Sequence, residues 1–261
     1  MDEGQGPPIV MLHGNPTWSF YYRDLIQGLR DRYRVIVPDH VGCGLSEKPR
    51  HYAYSLATHI DNLERLLEHL KIDDFTLAVH DWGGAIGFGY ACRHPQRVGR
   101  FVVFNTAAFL GRTPLRIRAC RIPLLGTLAV RGLNAFARAA VRMACVNKAR
   151  MTREVKAGYL LPYRDFASRV AIHRFVQDIP THPSHPTYPL IRSIEAALPR
   201  FRDRPMLICW GMRDFCFTEA FLDGWVERFP EAQVHRFTGA GHYVVEDAGP
   251  EILPRIRDFL A

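Results

Sequence analysis

The sequence predicts an α/β fold: a mostly parallel sheet flanked by helices, with a helical segment inserted late in the chain. Three observations carry this. Short apolar, β-branched runs alternate with amphipathic helical spacing along the first hundred residues, the pattern of a parallel sheet covered on both faces. Glycine- or proline-rich turns follow several of those runs at once, as at His13-Gly14-Asn15-Pro16 and Asp81-Trp82-Gly83-Gly84. The alternation then stops from Ala107 to Pro199 and resumes at Met206. Residues 1–106 and 200–261 are therefore expected to form the core, and 107–199 a helical cap.

Pro8 to Leu12 reads as the first strand and ends in the His13–Pro16 loop, whose glycine suits close backbone approach. Tyr21 to Leu29 reads as a helix and Tyr33 to Val37 as a strand, followed by Pro38-Asp39 and the glycine-rich Gly42–Ser46 loop. Leu56, Ile60, Leu63, Leu66, Leu67 and Leu70 recur at helical spacing, so Ser55–Leu70 is an amphipathic helix with its apolar face on the sheet. Phe75 to Val79 is a strand that runs through His80-Asp81 into two glycines and a helical pattern, Ala85 to Cys92. Strand, sharp turn and helix in this order hold the turn residue in a strained conformation, and only small residues after it let strand and helix pack. Val98 to Phe104 is the next strand.

In the inserted segment Leu133, Phe136, Ala137, Ala140, Val141 and Ala144 share a helical face, with Arg131, Arg138 and Arg142 away from it. Pro180, Pro183, Pro186 and Pro189 mark an extended run. Met206 to Trp210 is a strand ending at Gly211-Met212-Arg213-Asp214. Thr218 to Phe229 is a helix, Gln233 to Phe237 the last strand before Gly239-Ala240-Gly241-His242, and Pro250 to Leu260 the closing helix.

Composition excludes several classes. With 48% hydrophobic and 23% charged residues the chain has the make-up of a folded domain rather than a disordered one. No apolar run approaches membrane-span length and the first residues are polar, so a cytoplasmic location is expected. Six cysteines form no C-x-x-C pair, and His182 and His185 lie among prolines without further ligands; no metal and no cofactor are expected. The net charge of +8 is concentrated: Gly111 to Arg204 holds 18 basic residues against five acids, and Trp82 to Arg153 holds no acid. Such a field attracts an anionic membrane surface or an acidic partner. Its arginines are interleaved with aliphatic residues rather than aromatics, and no nucleic-acid module is present, so nucleic acid is not an expected partner.

Three chemically capable residues stand at strand ends in the order Asp81, Asp214, His242. That is the nucleophile, acid, histidine order of the α/β-hydrolase fold. An aspartate at the sharp turn can form an ester with substrate, the histidine can take a proton from water, and the second aspartate can orient the imidazole. Asn105 stands where a rival acid would follow the strand ending at Phe104.

His13-Gly14-Asn15-Pro16-Thr17, the Pro38–Pro49 loop and His80-Asp81-Trp82-Gly83 together resemble the haloalkane dehalogenase family. The resemblance implies that Asn15 and Trp82 donate side-chain N–H groups to the departing halide, and that their backbone N–H groups hold the oxyanion. Further stretches, among them Phe104–Phe109, Phe175–Pro180, Arg213-Asp214 and Gly241–Asp247, resemble the branch that contains the β-lactone decarboxylases of bacterial long-chain olefin biosynthesis. This implies opening of a cis-β-lactone bearing two alkyl chains to an alkene and carbon dioxide, and a multienzyme assembly as partner.

The alternatives are a hydrolytic haloalkane dehalogenase, an epoxide hydrolase with Tyr159, Tyr163 or Tyr188 as proton donor, and a catalytically silent scaffold. Family members usually carry two strands before the one at Pro8–Leu12, where only Met1–Pro7 stand here; this points to a truncated chain or an internal start.

Overall fold

A computed structural model describes residues 1–261. Seven strands form one sheet: β1 (Asp2–Glu3), β2 (Pro8–Leu12), β3 (Arg34–Ile36), β4 (Phe75–Asp81), β5 (Val98–Thr106), β6 (Met206–Gly211) and β7 (Gln233–Phe237). Their order is β1-β3-β2-β4-β5-β6-β7. All neighbours pair in parallel except β1 with β3. The polar stretch before Pro8 therefore supplies an antiparallel edge strand, which its composition did not suggest: β1 is two residues long, exposed at Asp2 and half-buried at Glu3, and held by pairing Asp2 with Ile36 and Glu3 with Val35.

The helices are α1 (Arg23–Leu29), α2 (Leu56–His69), α3 (Trp82–Arg93), α4 (Leu115–Ala119), α5 (Leu125–Thr127), α6 (Ala135–Met143), α7 (Arg153–Leu160), α8 (Val170–Gln177), α9 (Tyr188–Ala197), α10 (Glu219–Arg228) and α11 (Val244–Leu260). Successive strand residues feed opposite faces of the sheet. Val10, Leu12, Leu77, Val79 and Val103 pack on one side with Ile60 and Leu63 of α2, Phe88 of α3 and Trp225 of α10. Ile9, Met11, Ala78, Val102 and Phe104 pack on the other with Leu25 of α1 and Ile252 and Ile256 of α11. The expected α2 is present and capped by the Ser55 hydroxyl, which accepts from the Thr58 N–H at 3.3 Å, satisfying one orphan donor of the first turn.

Four details differ from the sequence expectations. α3 begins at Trp82, directly after the turn residue. α11 begins at Val244 rather than Pro250, with a kink at Ala248; a proline two residues on removes a backbone donor from the preceding turn. The proline run is not extended throughout, because Pro189 sits in the first turn of α9, where its missing N–H costs nothing. Leu133 is not on the buried face of α6: Asn134 adopts a left-handed φ of 53° before the helix starts, and Leu133 is left 64% exposed.

Between β5 and β6 the chain contains only helices and turns. Those helices reach the carboxyl ends of the strands, where residues of both parts line a common cavity.

Candidate active site

Asp81 ends β4 at φ 50°, ψ −123°, a conformation that non-glycine residues adopt at a cost of about 1–3 kcal/mol. Close packing on three sides holds it there. A Cβ on Gly83 would lie 2.1 Å from the Leu12 carbonyl oxygen, and one on Gly84 2.0 Å from Thr106 Oγ1. The Thr106 hydroxyl in turn donates to the Asp81 carbonyl. Gly14 makes room for the carboxylate itself, since a Cβ there would lie 2.0 Å from Asp81 Oδ1.

The backbone N–H of Asn15 donates to Asp81 Oδ1 at 2.6 Å, and the adjoining backbone N–H of Trp82 also favours the ionised carboxylate. Burial pushes the Asp81 carboxyl above its ordinary 3.8, against the pull of His242 and these two N–H groups. Its side chain keeps 12% exposure, enough to meet a ligand from the cavity.

His242 follows β7 in the Gly239–His242 turn. Its Nε2 lies 3.7 Å from Asp81 Oδ2 and its Nδ1 donates to Asp214 Oδ2 at 2.8 Å. Asp214 also accepts from the Cys216 N–H at 2.6 Å, which fixes the carboxylate and leaves the imidazole one orientation. Burial opposes the charged imidazolium. The charge and hydrogen bond of Asp214, with the charge of Asp81, outweigh it and hold His242 above its ordinary 6.5.

The turns are braced from behind. Buried His80 bonds the His242 carbonyl through Nε2 at 2.9 Å and stacks on Tyr21 at 4.4 Å. Asn105 bridges β5 to β6, its amide donating to the Gly211 carbonyl at 3.0 Å and accepting from the Gly211 N–H at 2.8 Å, so it steadies the turn that carries Asp214.

Asn15 and Trp82 both face the cavity. One Nδ2 hydrogen of Asn15 is used by the Ile172 carbonyl, at 3.1 Å; the amide has a second. The Trp82 indole packs against Phe175, 5.3 Å between centroids. Thus Asp81, Asn15, Trp82 and His242 lie together, with Asp214 behind. None of Tyr159, Tyr163 and Tyr188 lines the cavity, which removes the proton donor an epoxide would need. The cavity above Asp81 measures about 360 Å³ and 22 of its 32 lining residues are hydrophobic, so it suits an apolar molecule.

Two acids act here that the sequence reading passed over. Glu246, 2% exposed, receives both Nη groups of Arg23 at 2.8 and 2.6 Å and the Tyr159 hydroxyl at 2.9 Å, joining α1, α7 and α11. Asp247 accepts the N–H groups of Gly241 at 2.7 Å, Val146 at 3.0 Å and Asn147 at 2.6 Å. Together they fasten the His242 turn to the helical segment. Acids in the first turn of a helix are the available signal, hidden in the sequence because Pro250 marks the helix start there whereas α11 begins at Val244. Glu246→Ala removes the two-pronged partner of Arg23, which keeps the Phe20 carbonyl and Asp24, and strands the Tyr159 hydroxyl; it is expected to cost about 2–3 kcal/mol. Urea denaturation measures this, and a loss below about 1 kcal/mol would contradict the clasp.

A seven-stranded sheet with an aspartate on the elbow after a central strand, a histidine after the last strand and an acid behind it defines an α/β hydrolase. The family described as alpha/beta hydrolase fold matches residues 7–249. Along its whole length the chain is 49% identical to a cis-3-alkyl-4-alkyloxetan-2-one decarboxylase of Shewanella oneidensis, covering 84% of that protein. It is 39% identical to a haloalkane dehalogenase of Mycolicibacterium paratuberculosis, over 98% of this chain and 85% of that one. An ancestral haloalkane dehalogenase crystal structure superposes with a TM-score of 0.87 at 26% identity, covering 99% of this chain and 94% of the other. The chain belongs to the α/β-hydrolase fold family, in the branch of the haloalkane dehalogenases and their oxetanone-decarboxylase relatives.

Proposed function

We propose that the protein decarboxylates a cis-β-lactone carrying two alkyl chains, with Asp81 as nucleophile. The observation that supports this most is the Asp81 carboxylate beside His242 on the floor of an apolar cavity, together with the name of the 49% identical relative. In one route an Asp81 oxygen attacks the alkyl-bearing ring carbon, the carbon–oxygen bond breaks, and the electron pair stays on the ring oxygen as a carboxylate. The side-chain N–H groups of Asn15 and Trp82 would receive that charge while the backbone N–H of Asn15 stays on Asp81, preorganised donors being the largest source of such stabilisation. The carbon–carbon bond to the new carboxylate then breaks. Its electron pair forms the alkene, carbon dioxide departs and the Asp81 carboxylate is expelled unchanged. The other route attacks the lactone carbonyl. In both, residues 107–199 act as the cap that shapes the slot for the alkyl chains, and neither route uses a metal or cofactor. The expected setting is cytoplasmic.

The second reading is haloalkane hydrolysis, favoured by the same Asp81, Asn15 and Trp82 set and by the 39% identical dehalogenase. There His242 takes a proton from the water that attacks the Asp81 ester. Parallel incubation with a dialkyl cis-β-lactone and 1,2-dibromoethane separates the two: alkene is expected from the first, and bromide without alkene would favour the second.

The readings also differ in pH dependence. Alkene formation needs only an ionised Asp81, so its rate falls once, as pH drops through the raised Asp81 pKa. Hydrolysis needs in addition a neutral His242, so as pH drops it falls earlier, at the higher pH where that histidine takes up a proton. A shared upper limb in both profiles would contradict the base-free route. Trp82→Phe keeps the packing on Phe175 but removes the indole donor, and is expected to lower kcat about 10²–10³-fold; an unchanged kcat would remove Trp82 from the anion site.

A further inference from the structure

Beside the cavity lies a surface that the chemistry does not use. Seven of the eleven exposed large apolar side chains lie between Leu115 and Met143, a concentration beyond the scattered exposure normal for a folded protein. At its tip stand Ile122, Leu124 and Leu125, with Leu124 85% exposed. The tip is a built turn. The Leu125, Gly126 and Leu128 N–H groups donate to Pro123, Ile122 and Leu124 carbonyls at 2.6, 2.7 and 2.9 Å, and a Cβ on Gly126 would strike the Cys120 carbonyl at 2.1 Å. Leu124 itself is held at φ 62°, a conformation that costs energy and turns its side chain out to solvent.

Charge surrounds this tip. Arg112, Arg116 and Arg118 are exposed in the segment leading to it, Arg112 and Arg116 also bordering the cavity, with no acid anywhere from Trp82 to Arg153. Arg121 ties the turn to the carbonyls of Val176 and Ile179, two residues of the cavity wall. The other side of the same short helix, at Ile117, lines the cavity, as does Cys120 just after it. This stretch thus has leucines and Arg118 exposed, Arg112 and Arg116 at the cavity rim, and Ile117 and Cys120 facing the cavity.

We propose that the Leu115–Leu128 surface docks on an anionic phospholipid bilayer, with Leu124 and Leu125 entering the interface and the arginines meeting the headgroups, so that an apolar substrate passes from lipid to cavity beneath α4. The passage of substrate rests on the lactone reading above; the docking does not. Apolar side chains at the tip with basic residues behind them are the composition of an interfacial binding element, and each arginine near an anionic surface strengthens binding about fivefold.

The test is co-sedimentation of the full chain with phosphatidylcholine vesicles, with and without phosphatidylglycerol. Sedimentation is expected with phosphatidylglycerol at low salt and is lost at high salt. Leu124→Ser/Leu125→Ser is expected to weaken it at least about tenfold, and Arg118→Gln about fivefold, with circular dichroism unchanged. No sedimentation at low salt, equal sedimentation with both vesicles, or indifference to the leucine substitutions would overturn the proposal. Retention on immobilised polyglutamate without vesicle binding would overturn it in favour of an acidic protein partner. The readout involves no turnover, so failure of the lactone chemistry and failure of docking are separate results.

Discussion

Asp81→Ala is expected to reduce alkene formation from a dialkyl β-lactone and halide release from a haloalkane by at least about 10⁴-fold, the scale on which removal of a covalent nucleophile is felt. No other carboxylate can take over. Asp214 is turned away, its oxygens bonded to His242 and to the Cys216 N–H. The fold is expected to survive, because the elbow is set by Gly83, Gly84 and Thr106 rather than by the carboxylate. Asp81 is a desolvated acid, so its removal should leave the melting temperature unchanged or raised, as is common where a functional site is strained for activity. Residual activity within about tenfold of wild type would remove Asp81 from the nucleophile role.

His242→Phe is expected to separate the two chemistries. Haloalkane hydrolysis loses its base, and turnover should fall by about 10²–10⁴-fold. The attack step is untouched, so halide should appear in a single burst and the alkyl ester should persist on Asp81 as a mass increase. Lactone decarboxylation asks for no proton transfer in the alkyl route, so alkene should continue to form. Equal loss of both activities would show that His242 also serves the lactone reaction, through the charge it places 3.7 Å from Asp81.

Much of the fold was legible because its signals are local and repeated. The spacing of Leu56, Ile60 and Leu63 gave α2, and Val98–Phe104 lies within β5. The positions of the candidate site residues were legible because they follow strand ends, and Asn15, Asp81 and His242 stand within two residues of glycines whose need is steric. What could not be read depended on contacts distant in sequence. β1 exists only because Asp2 and Glu3 pair with β3. Asn15 lends one amide hydrogen to Ile172, 157 residues away, and Arg23 meets Glu246 across 223 residues. Leu133 obeyed the helical period and still faces solvent, since a single left-handed residue, Asn134, moved the helix start past it. The basic segment was visible in composition, but the Ile122–Leu125 tip was not, because its exposure follows from the turn closed at Gly126.

The central claim is that Asp81 becomes bonded to substrate carbon. Rapid quenching of the wild-type protein with a dialkyl cis-β-lactone under single-turnover conditions, followed by mass spectrometry of the Asp81 peptide, tests it most directly. The predicted result is an adduct with the mass of the whole lactone that decays at the rate at which alkene appears. Alkene released at full rate by the Asp81→Ala protein, with no adduct at any time in the wild type, would contradict it.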